Sequence, residues 1–179
     1  MATSVIANPV PPSLRVRILA WMPTLLWLAA IATFSTDMFS ARHTESILLR
    51  IIHLFYGNMT YRQFNVIHVF VRKTAHFSVY GGLSLVSFYS WRVTFPGRLR
   101  WEFKWSVLAL LLTLLAASLD EFHQLFVPSR GSSIRDVGMD MLGAMFVQIL
   151  IASFSNILPV PKDQNLTADD TDETQIKSL

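Results

Sequence analysis

Four stretches of 15 or more residues run without Asp, Glu, Lys or Arg: residues 18–36, 74–91, 105–119 and 141–161. A charge closes each at both ends: Arg17 and Asp37, Lys73 and Arg92, Lys104 and Asp120, Asp140 and Lys162. A helix that crosses a bilayer needs about 20 mostly apolar residues at 1.5 Å each. The pattern predicts an all-α, polytopic membrane protein, a small bundle of four transmembrane helices. Pro159 and Pro161 close the fourth run, because neither can donate to a helical ladder. The third run is short, about 22 Å against about 30 Å of hydrocarbon. No breaker follows Leu119 before Pro128, so this helix is expected to continue with Asp120 and Glu121 on it. Charges at that depth are costly unless paired or hydrated. The spans are therefore expected near 18–36, 74–91, 105–124 and 138–158.

The membrane domain covers 18–158. Residues 1–17, with Pro9, Pro11 and Pro12, are expected to be a flexible cytoplasmic N-terminus. Residues 159–179, with Asp163, Asp169, Asp170, Asp172 and Glu173, are expected to be a flexible acidic tail. Arg15, Arg17 and Ala30-Ile31-Ala32 have the look of a signal peptide, but the uncharged run exceeds a usual h-region and favours an uncleaved anchor. Apolar residues recur at helical spacing in 45–55 (Ile47, Leu48, Ile51, Ile52, Leu54, Phe55), too briefly to span. This segment reads either as an interfacial helix or as a cap over the helix ends.

Composition agrees with a membrane protein: 52% of residues are hydrophobic and 15% charged, where soluble domains carry about 25% charge. The absence of cysteine removes disulfides, thiolate metal sites and a cysteine nucleophile. The net charge of +3 does not indicate a nucleic-acid partner, because the basic residues punctuate apolar runs. They do indicate orientation. The connection 92–104 carries Arg92, Arg98, Arg100 and Lys104 against Glu102, which places it, and both termini, in the cytoplasm. Connections 37–73 and 120–140 then lie outside.

In that topology three helix ends gather their charges at the outer boundary. The second helix brings Arg72, Lys73, His76 and Tyr80; the third brings Asp120, Glu121, His123 and Gln124; the fourth brings Asp136 and Asp140. Arg130 and Arg135 lie on or beside the connection between the last two. Arg72, His76 and Tyr80 fall on one stripe at i, i+4, i+8; Asp120 and Gln124, and Asp136 and Asp140, are i, i+4 pairs. Cations near a helix start and anions near a helix end both oppose the macrodipole. Capping therefore does not explain them, and ion pairing between the second and third helices would. Gly81, Gly82, Gly138 and Gly143 are candidates for close helix approach.

These residues resemble the VanZ-like family of small bacterial membrane proteins. The likeness rests on Arg72-Lys73-Thr74-Ala75-His76 with Tyr80, and more on Asp120-Glu121-Phe122-His123-Gln124-Leu125-Phe126-Val127-Pro128-Ser129-Arg130, followed by Asp136 and Gly143. It covers about 66–150. The family often has Pro-Gly-Arg where this chain has Pro128-Ser129-Arg130, and Asn where it has Asp140. A second glycine common after Gly143 is missing near Val147. The resemblance implies a multi-pass protein of the bacterial inner (cytoplasmic) membrane. The family's namesake is associated with resistance to the glycopeptide teicoplanin, and no catalytic residues are agreed.

Three roles remain open for the cluster Arg72, Lys73, His76, Tyr80, Asp120, Glu121, His123, Gln124, Arg130, Asp136 and Asp140. It could bind an anionic envelope precursor or a glycopeptide through Arg72, Lys73 and Arg130. It could form a membrane hydrolase, with His76 or His123 as base, or a metal-dependent enzyme. Yet Glu121-Phe122-His123 is no His-Glu-x-x-His helix, and no nucleophile elbow surrounds Ser129, Ser132 or Ser133. No cofactor or resident metal is expected. Thirdly, the charges could serve only to fix helix packing. The topology is checked by reporter fusions. A phosphatase active only outside the cytoplasm is expected to work when fused within 125–133 and to fail within 96–102; the reverse result inverts the orientation.

Overall fold

The computed structural model describes residues 12–36, 49–52, 54, 60–95, 101–127 and 133–157. Four long helices carry the architecture: α1 (Leu14–Phe34), α2 (Tyr61–Thr94), α3 (Phe103–Gln124) and α4 (Ile134–Ile157). Residues 49–52 and 54 are also helical, with Ile52 buried, so part of the 45–55 segment has the expected form. The expected cytoplasmic N-terminus up to residue 11, the acidic tail, Arg130 and both fourth-run prolines lie outside the described residues.

The helix ends differ from the apolar runs where polar turns extend them. α2 begins 13 positions before the charge-free run because Thr60 and Gln63 cap it. The Gln63 carbonyl accepts from the Thr60 N–H at 3.1 Å and from its hydroxyl at 2.7 Å. At 34 residues α2 is about 51 Å long. Arg72 and Lys73 are thus three turns inside it, where the macrodipole bears little on them. α3 runs through Asp120 and Glu121 to Gln124, as the missing breaker predicts. α4 starts at Ile134, one turn earlier than expected, because Ser133 caps it: the Arg135 N–H donates to Ser133 Oγ at 3.2 Å.

α1, α3 and α4 are long and apolar enough to cross a membrane. α2 is less apolar, being rich in Ser, Gly, His and Tyr, and it packs against each of the other three. α1 lies antiparallel to it. Their seam is polar: Thr24 and Ser90 share a hydroxyl bond of 2.8 Å, Ser90 donates to the Ala20 carbonyl at 2.7 Å, and Trp27 donates to the Val79 carbonyl at 2.9 Å. α3 is also antiparallel to α2, with Leu83 against Ala117 in the upper core and Phe88 against Trp105 in the lower core. α4 is parallel to α2 and antiparallel to α3.

One end of the bundle is aromatic. Trp21 donates to Thr94 at 2.8 Å, Trp101 to Ser106 at 3.0 Å and Trp105 to the Phe95 carbonyl at 3.1 Å. Trp21 meets Trp91 edge to face at 4.8 Å. Tryptophan favours the membrane–water interface, with its ring in apolar surroundings and its N–H satisfied.

The α2–α4 contact is backbone-close. A Cβ on Gly143 would collide with the Phe77 carbonyl, and one on Gly81 would lie 3.1 Å from Val147 Cγ2 and 3.2 Å from the Gly143 oxygen. Gly138, by contrast, has open space around it. The expected close approach therefore belongs to Gly81 and Gly143 between α2 and α4, and to Gly82, where a Cβ would collide with the Trp27 ring of α1. Gly143→Ala is expected to lower stability by about 1–3 kcal/mol, while Gly138→Ala changes it by less than about 0.5 kcal/mol. Thermal unfolding in nanodiscs checks both.

Candidate functional site

The parallel α2–α4 pair sets the site's geometry, because residues 64 positions apart face each other. At the rim Arg72 Nη2 lies 3.8 Å from Asp136 Oδ2, with the Arg72 side chain 35% exposed. One turn deeper, about 6 Å along the axis, His76 donates through Nδ1 to Asp140 Oδ1 at 3.2 Å. Two turns beyond that, Gln148 donates to the Ser84 hydroxyl at 2.8 Å and to its carbonyl at 3.1 Å. The rung between is Tyr80 and Ala144. Alanine offers tyrosine no partner, and the Tyr80 hydroxyl donates instead to Asp120 Oδ2 of α3 at 3.0 Å. Gln124, one turn along α3, donates to the same oxygen at 2.9 Å. The His76 and Tyr80 rings stack with centroids 6.1 Å apart, so the two levels are continuous.

Glu121 has a different task. Its Oε2 accepts the Ser133 N–H at 2.8 Å, so a carboxylate from α3 satisfies a backbone donor at the start of α4. Negative charge there also favours the α4 dipole. This bond ties the end of α3 to the beginning of α4 across the connection.

Among the described residues, the expected pairing between cations of the second helix and acids of the third is not found. Arg72 and His76 both meet α4, because the parallel register brings residues 136 and 140 opposite 72 and 76. Asp120 is engaged by neutral donors. Lys73 is exposed, with no ion pair among the described residues. His123 is exposed on another face of α3, where it shares a 3.2 Å hydrogen bond with Ser35 beyond the end of α1. Arg135 is exposed. Arg72, His76, Tyr80, Asp120, Gln124, Asp136 and Asp140 thus form one connected ladder. Glu121 adjoins it, within electrostatic range of the Tyr80 hydroxyl, as are Asp120 and Asp140.

Ser35, Ser84 and Ser133 take part in this end of the molecule or in its support, and sequence reasoning did not single out the first two. The signal available for Ser84 was its spacing with Ser87 and Ser90, a hydroxyl stripe in an apolar run. Among the described residues, no group of three or more His, Asp or Glu side chains is placed to hold a metal ion. Ser35 and His123 pair without an orienting carboxylate among the described residues.

An all-helical protein with three membrane-capable helices and a charged ladder at one end is the class that fold and site define. The chain belongs to the VanZ/LLP1 family, whose pattern matches residues 18–155. No curated protein and no solved structure matches it.

The two kinds of contact in the ladder are expected to separate energetically. A double-mutant cycle on Tyr80→Phe and Asp120→Asn should give a coupling of about 0.6–1.7 kcal/mol in thermal unfolding. The same cycle on Arg72→Ala and Asp136→Ala should give less than about 0.5 kcal/mol, since that pair is long and half-exposed.

Proposed function

We propose that this protein is a four-span VanZ-family protein of the bacterial cytoplasmic membrane whose outward-facing ladder binds an anionic group of a cell-envelope precursor or of a glycopeptide. The reading of α2 as a fourth span is supported by its place among three apolar helices, which bury its Ser84, Ser87 and Ser90 hydroxyls. The orientation is supported by Arg92 and Lys104 at the tryptophan-rich end, since short basic connections favour the cytoplasmic side. That end faces the cytoplasm, and the ladder faces out.

The observation that carries the binding reading is the state of the rim cations. Arg72 is partly exposed and held only loosely by Asp136, and Lys73 beside it is exposed. Both are free to close on a phosphate or carboxylate, Arg72 in bidentate fashion. A ladder that served packing alone would be expected to hold its arginine close. If the ligand is a glycopeptide, the protein lowers the cell's sensitivity to teicoplanin by sequestering it at the membrane surface.

Labelled lipid-linked precursor and labelled teicoplanin, each titrated against the protein in nanodiscs, test this. Saturable binding of one, weakened about tenfold or more by Arg72→Ala, is expected. Binding of neither, or binding indifferent to Arg72→Ala and Lys73→Ala together, overturns it.

A further inference from the structure

The inner part of the ladder holds more acceptors than donors. Asp120 Oδ2 receives both the Tyr80 hydroxyl and the Gln124 amide, at 3.0 and 2.9 Å. Among the described residues, Asp120 Oδ1 receives nothing, and neither do Gln124 Oε1, Asp140 Oδ2 or Glu121 Oε1. All four oxygens are buried; Gln124 and Asp140 are 0% exposed and Glu121 is 5% exposed. The buried side-chain donors without a partner among the described residues, Arg17 Nε and Trp91 Nε1, belong to helix segments at the opposite end of the bundle. A buried polar group left without a partner is destabilising, and more so if it is charged.

Gln124 makes the point independently of charge. Its amide is neutral, its N–H is used, and its carbonyl is buried beside a carboxylate with one oxygen that also lacks a donor. Below the rim, Asp120, Glu121 and Asp140 face only His76 as a cationizable partner among the described residues. The complement of such a set is compact, positive and rich in N–H. A protonated primary amine carries three donors on one atom.

We propose that Asp120 Oδ1, Gln124 Oε1 and Asp140 Oδ2 seat a protonated primary amine of the ligand. This rests on the reading of the ladder as a binding site and adds a second recognised group. The amine lies one to two helical turns inside the anion at Arg72, about 6–12 Å away. The ligand is therefore amphoteric, with an anion at the rim and an amine at the floor. A side-chain amine of an envelope peptide precursor and the free amine of a glycopeptide share this chemistry.

The test uses the full chain in nanodiscs with three small probes: 6-aminohexanoate, hexanoate, and 6-(trimethylammonio)hexanoate, which keeps the charge but has no N–H. Saturable ligand-observed NMR is expected for 6-aminohexanoate and about tenfold weaker binding for the other two. Asp120→Asn and, as a second variant should the first fail to fold, Gln124→Met are expected to weaken the 6-aminohexanoate signal by a similar factor. Equal response to all three probes, no response, or a response that survives both substitutions overturns the amine seat. Arg72→Ala separates this from the rim reading. If hexanoate binds through Arg72 and the amine adds nothing, the seat falls and the rim stands. If the amine's advantage persists in Arg72→Ala, the seat stands without the rim. Teicoplanin acetylated at its amine distinguishes the sources: loss of binding assigns the seat to the antibiotic's amine, and unchanged tight binding removes the antibiotic as its occupant.

Discussion

The close parallel contact of α2 with α4 is the constraint on which the rest of this structure depends. Helices in lipid gain little from hiding apolar surface against each other, so close packing and hydrogen bonds must hold them. Gly143 against the Phe77 carbonyl and Gly81 against Val147 let the two backbones approach. That approach leaves one alignment, and the alignment decides which charges meet. Arg72 reaches Asp136 and His76 reaches Asp140 because of it. Ala144 follows from the same register, and its small side chain directs Tyr80 across to α3.

The same arrangement explains why α2 has the weakest membrane signature. It is surrounded on three sides, and its buried positions include Ser84, Ser87 and Ser90. Those hydroxyls donate to backbone carbonyls, so they cost little where lipid does not reach. α1 is the opposite case. Only Thr24 and Ile31 of its residues are buried, and it presents leucine and isoleucine outward. A helix chosen by hydropathy is thus one that meets lipid, and the helix that organises the others escapes that criterion.

Much of this was legible beforehand. The four helices follow from the spacing of charges, and the continuation of α3 through Asp120 and Glu121 follows from the absence of a breaker before Pro128. The stripe of Arg72, His76 and Tyr80, and the Asp120–Gln124 pair, could be read from periodicity alone. What periodicity could not supply was the partner of each charge. Whether Arg72 faces α3 or α4 depends on which helices are neighbours and at what offset, and a count of equal charges is satisfied by either answer. His123 shows the same limit. Three positions from Asp120, it belongs to the motif in sequence but turns to Ser35 in space. Helix starts were displaced for a simpler reason: Thr60 and Ser133 cap polar turns that a search for apolar runs passes over.

The Ser84–Gln148 contact has a consequence beyond its two hydrogen bonds. Slide α4 by one turn in one direction and His76 would face Asp136 while Tyr80 faced Asp140. Slide it the other way and His68 would face Asp136 while Arg72 faced Asp140. Coulombic attraction alone scarcely distinguishes these three alignments. The lone amide in the apolar interior does, since either slip would set Gln148 against an aromatic ring, Phe88 or Tyr80, and strip it of the serine. It works as the notch on a key: it discards the miscut copies, and relieves the ionic groups of the ladder from having to fix the alignment.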